Sequence, residues 1–90
     1  MDCIRAARMM QAHQGYLSFT ALRNACMKRS LVATLQIFDG GETVTIKQID
    51  TGKQLLRITR EYGQTENAAA AAAQWLYEND YIVPGDTTED

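Results

Sequence analysis

Residues 31–38 read LVATLQIF, and the reading of these eight decides the fold. Leu31, Ala33, Leu35 and Ile37 alternate as on one face of a strand, while Leu31, Leu35 and Phe38 also satisfy a helical stripe, so periodicity leaves both open. Three other features favour the strand. The segment has strand length, Val32, Thr34, Ile37 and Phe38 are sheet-forming types, and Asp39-Gly40-Gly41 directly after it is a hairpin turn.

Working outward toward the C-terminus, alternation is clear from Thr43 to Lys47, with Val44 and Ile46 on one face and Thr43, Thr45 and Lys47 on the other. Asp50-Thr51-Gly52-Lys53 supplies the next reversal. Leu55 to Thr59 then forms a third strand with Leu56 and Ile58 inward and Leu55, Arg57 and Thr59 outward. The outcome is a three-stranded antiparallel meander. Gly63 ends the sheet, Thr65 is placed to cap a helix, and Glu66 would sit in its first turn. Ala68 to Ala73 follow, and Ala68, Ala69, Ala72, Trp75 and Leu76 share a face that packs against the sheet. Pro84-Gly85 ends the packed chain, so residues 84–90 are expected as a mobile acidic tail behind a single domain of residues 1–83.

Toward the N-terminus, Asp2 caps a short helix over residues 3–13 on the spacing of Cys3, Ala6, Ala7 and Met10, and Gly15 stops it. Ser18 caps a second helix in which Phe19, Leu22, Ala25 and Cys26 form the apolar stripe. The sequence therefore predicts an α+β domain in the order ααβββα: two N-terminal helices, the meander, and a C-terminal alanine-rich helix on one sheet face. If residues 31–38 were a helix instead, residues 18–38 would become a helix-turn-helix and the hairpin at 50–53 a wing. In that alternative Ser30, Thr34 and Gln36 read bases while Lys28, Arg29, Lys47 and Lys53 touch phosphate.

Ninety residues suffice for one core, but twelve alanines inflate the 46% hydrophobic content, so the larger aliphatics and Trp75 must supply most of the burial. Neither a secretory h-region nor a membrane-length apolar run is present, and a cytoplasmic protein is expected. Cys3 and Cys26 then read as reduced core residues, with a disulfide between the two N-terminal helices as the other option. Two cysteines and the lone His13, widely spaced, make no zinc pattern, and no cofactor is implied. Gly40-Gly41 lacks the Lys-Ser/Thr and following helix of a phosphate loop. A non-enzymatic binding protein is the expectation.

The net charge of −2 conceals a division. Nine Lys and Arg against four acids leave residues 1–60 at +5, and seven acids with no Lys or Arg leave residues 61–90 at −7. Thr34, Gln36, Thr43, Thr45, Lys47, Arg57 and Thr59 would share the outward sheet face, a set of hydroxyls, an amide and cations without an acid in the strand interiors. Such residues also commonly occupy solvent-facing strand positions. They nevertheless suit DNA or RNA, with Arg23, Lys28, Arg29, Lys47, Lys53 and Arg57 on phosphates and Gln36 and Thr45 on base edges. The competing expectation is a protein-binding module, an inhibitor or adaptor, whose Glu61, Glu66, Glu78 and Asp80 dock on a basic partner. Homodimerisation through an exposed strand edge stays open under either.

The stretch VTIKQIDTGKQLLRITREYGQTENAAAAAAQWL, residues 44–76, is similar in outline to the three-stranded arm-site domains of phage integrases, in which a Thr-Gly-Lys turn precedes a final strand and an alanine-rich helix. The outline covers about a third of the chain and is shared by unrelated βββα modules, including small phage-encoded inhibitors. It assigns no functional residue here.

Overall fold

The computed structural model describes residues 15–87. The helix expected over residues 3–13, with Cys3 and His13, lies outside them. Ser18 caps α1 (Phe19–Lys28) by accepting the Ala21 N–H at 3.1 Å, and Ala21, Leu22, Ala25 and Cys26 form its buried side. Ser30 then takes a left-handed φ of 59° and turns the chain into the sheet.

Residues 31–38 are a strand. β1 (Leu31–Phe38), β2 (Gly41–Gln48) and β3 (Gln54–Glu61) form an antiparallel meander in the order β1-β2-β3. The winged helix-turn-helix alternative is thereby overturned, since its third helix does not exist. Beyond the local β-propensity, the hairpin explains the outcome: Gly40 adopts φ +93° between Phe38 and Gly41, which pair directly. At Gly41 a Cβ would lie 2.6 Å from the Arg60 carbonyl oxygen and 2.7 Å from the Phe38 ring, so only glycine fits beneath that ring.

Val44 and Ile46 have no solvent exposure and form the centre of the inner face, with Leu31, Ala33, Leu35, Leu56 and Ile58 around them. A bulge between Ile46 and Lys47 alters the third strand: Ile46 pairs with Leu56 but Lys47 pairs with Gln54, leaving Leu55 as the extra residue. Leu55, expected outward, packs against the core, and Gln54 takes the place opposite Lys47.

α2 (Ala68–Glu78) packs on β2 and β3 and touches α1. Its cap is Asn67, not the expected Thr65. The Asn67 Oδ1 accepts the Ala70 N–H at 3.1 Å and the Leu17 N–H at 3.1 Å, while its Nδ2 donates to the Leu17 carbonyl at 2.7 Å. A short-range rule favours either residue, but only Asn carries the donor and acceptor that hold the incoming chain as well. Glu42 adds a second cap from β2, its carboxylate accepting the Ala68 N–H at 3.2 Å. All six alanines are buried, and the absence of longer side chains lets this helix lie close to its neighbours. Leu76 and Tyr77 are buried at its far end, where the half-buried Trp75 stacks on Tyr81 with ring centroids 5.7 Å apart.

Pro84 to Thr87, expected within a mobile tail, form a 3-10 turn packed against α1. Thr87 is buried and hydrogen-bonds the Tyr77 hydroxyl, and Arg29 at the end of α1 grips Asp86 through Nε at 2.8 Å and Nη2 at 3.2 Å. Among the described residues no helix is long and apolar enough to cross a membrane.

Candidate nucleic-acid interface

Both helices share one core with Val44 and Ile46, so both lie on the same side of the sheet. The other side is covered by no described element. Strand register arranges it in four rows, read from β1 to β3: Val32, Lys47 and Gln54; Thr34, Thr45 and Arg57; Gln36, Thr43 and Thr59; Phe38, Gly41 and Glu61. Alternation along each strand puts these side chains outward together.

Lys47 and Arg57 occupy neighbouring rows on adjacent strands, roughly 7–8 Å apart between backbones, close enough to engage successive phosphates. Both are exposed, as are Thr34, Gln36 and Thr59, while Thr45 is half-buried between Thr34 and Arg57. Thr43 is buried despite facing outward, because its hydroxyl meets that of Thr59 at 2.8 Å in the middle of the face. Lys53 stands in the turn beside Lys47. That turn is shaped by Gly52 at φ +71°, by the Thr51 hydroxyl accepting the Lys53 N–H, and by the Gln48 N–H donating to the Lys53 carbonyl. The single acid in the four rows, Glu61, sits at the opposite end from Lys47.

Five of the eight residues expected to contact nucleic acid, Gln36, Thr45, Lys47, Lys53 and Arg57, thus belong to this face or the turn that borders it. The other three do not join them. Arg23 and Lys28 are exposed on α1, across the sheet, and Arg29 is committed to Asp86. Burial raises the Asp86 carboxyl, but the Arg29 hydrogen bond and the Val83 N–H outweigh it and hold the group below the usual carboxylate range. The sequence reading also missed Phe38, which is 43% exposed and shares the parity of Thr34 and Gln36. That parity was the available signal.

The acidic residues are dispersed. Glu66 precedes α2 and pairs with Arg60 at 3.2 Å, whereas Glu78 and Asp80 lie at its other end, about 16 Å away along an eleven-residue helix. Glu78 accepts a hydrogen bond from Gln74, and Asp80 adopts a left-handed φ of 63° where the helix stops.

A groove of about 490 Å³ lies at the β3–α2 end, lined by residues that include Tyr16, Phe19, Leu35, Glu42, Arg60 and Glu66. Both of those carboxylates already have partners, Ala68 and Arg60, and the described lining holds neither Cys nor His. Cys26 is a free thiol inside the core, where burial pushes its pKa up to about 11, so almost no thiolate exists near neutral pH. Among the described residues no cluster of three or more His, Cys, Asp or Glu is placed to hold a metal ion. No family model, curated protein or solved structure matches the chain.

Proposed function

We propose that the protein binds nucleic acid through the outward face of its sheet. In this reading Lys47, Arg57 and the turn residue Lys53 contact phosphates, Gln36 and Thr45 meet base edges, and Phe38 offers a ring on which a base stacks. The observation that carries the reading is the convergence of Lys47 and Arg57 among hydroxyl and amide side chains on the one side of the sheet that no described helix covers. Arg23, Lys28 and Arg29 fall outside the proposed contact, since two face away from it and the third is paired.

Binding through about three phosphate contacts makes the logarithm of the affinity fall with that of salt concentration, with a slope of roughly −2.7 on duplex and −2 on single strands. Lys47→Ala and Arg57→Ala should each flatten that slope by about 0.7–0.9, while Arg23→Ala leaves it unchanged. Fluorescence anisotropy with labelled duplex and single-stranded oligonucleotides reads both values. Absence of binding at about 50 mM salt, or slopes unaffected by the two sheet substitutions, would overturn the reading.

A further inference from the structure

The two edges of the sheet are built differently. β3 carries Arg57, Arg60 and Glu61 and contains the bulge at Leu55, features that discourage strand addition. β1 has no charged residue, no proline and no bulge along its eight residues, and every position pairs regularly with β2. It also exposes apolar side chains: Ile37 is 70% accessible, Phe38 43% and Val32 40%. Uncharged, regular and apolar edges are templates for another strand.

Backbone direction identifies the groups on offer. The Ser30 carbonyl accepts the Ile49 N–H, so the even-numbered residues of β1 turn their N–H and C=O toward β2. Leu31, Ala33, Leu35 and Ile37 therefore direct theirs to the free edge. No hydrogen bond joins those groups to another described element.

We propose that this edge is a self-association surface, on which β1 pairs antiparallel with β1 of a second copy about a two-fold axis passing by Thr34. This register gives every outward N–H and C=O of the four odd-numbered residues a partner. It sets Leu31 against the partner copy's Ile37 and Ala33 against its Leu35, covering the most exposed aliphatic side chain of the strand. The match is self-complementary because the strand is neutral and apolar at both ends, which an isologous contact requires. A foreign strand could use the same backbone groups, but nothing else in the edge selects one by charge. Pairing would join both copies into one continuous sheet whose outward faces lie on the same side, with the two Lys47 strands about 14 Å apart at three strand spacings.

Thr34 is exposed, faces away from the core and would lie directly opposite its own copy, so it reports on the pairing without disturbing the monomer. Sedimentation equilibrium of the full chain at about 100 µM, where a micromolar dimer is almost fully formed, should give twice the monomer mass. Thr34→Lys and Thr34→Glu should each sediment as monomers through like-charge repulsion, and an equimolar mixture of the two should recover the dimer mass. The mixture also shows that both variants are folded. A monomeric wild-type chain would overturn the proposal. So would a dimer that survives Thr34→Lys, or a mixture that stays monomeric. No nucleic acid is present in this measurement, so its outcome is independent of the binding function.

Discussion

Cys26 illustrates how a single core position links packing to pH. Its spacing with Phe19, Leu22 and Ala25 was readable as an apolar stripe, and in the fold it has no solvent exposure. Burial raises its thiol from 9.0 to about 11, so the unfolded chain releases this proton first as pH rises. The associated stabilisation is intact below pH 9.0 and is lost between there and about 11, at roughly 1.4 kcal/mol per pH unit. Tyr77 acts in the same direction, because burial also raises its hydroxyl despite the opposing effect of its hydrogen bond with Thr87. Urea unfolding between pH 8 and 11 should show a steep alkaline decline in the wild type and a shallower one in Cys26→Ala, to which Tyr77 still contributes. Equal slopes would place the thiol outside the core. The contact of Arg29 with Asp86 lies at the opposite extreme of legibility. The two are 57 residues apart, and no local pattern joins them, so the chain end read as free acidic tail.

At the scale of elements, the strands were legible because alternation is a local property: Val44 and Ile46 point inward whatever lies over them. The exceptions arise where a second element intervenes. Leu55 was assigned outward by simple alternation, but the bulge opposite Lys47 changes the count and brings it to the core. Thr65 and Asn67 are both capping types, and the choice between them rests on Leu17, fifty residues distant in sequence. Asn67 consequently joins two elements. It satisfies the first turn of α2 and holds both backbone groups of Leu17 as the chain approaches α1. Asn67→Ala should cost about 1–3 kcal/mol, more than an isolated cap, because buried backbone groups at Leu17 lose their partners together with the helix end. Asn67→Asp should fall between, retaining the acceptor but not the donor. Denaturant midpoints rank the three proteins, and an alanine variant as stable as the wild type would contradict the clamp.

For the whole molecule, the division of charge at residue 60 turns out to be bridged rather than segregated. Arg29 with Asp86 and Arg60 with Glu66 each join a cation of the first part to an acid of the second. Among the described residues the acids also lie at both ends of α2, so the cations before residue 61 and the acids after it do not form two simple opposed surfaces. The more consequential asymmetry is architectural: both described helices cover one side of a three-stranded sheet and leave Lys47, Arg57 and their polar neighbours on the other. The polar face was readable from strand parity, whereas the placement of α1 across the sheet from it was not, because parity does not say which side a helix takes. The most direct test of the proposed function is an amide chemical-shift map of the full chain during titration with an unlabelled oligonucleotide at low salt. Shifts concentrated on Thr34, Gln36, Thr45, Lys47, Lys53, Arg57 and Thr59, with α1 and α2 unperturbed, are the predicted result. Shifts confined to the exposed side of α1 around Arg23 and Lys28, or none at all, would contradict it.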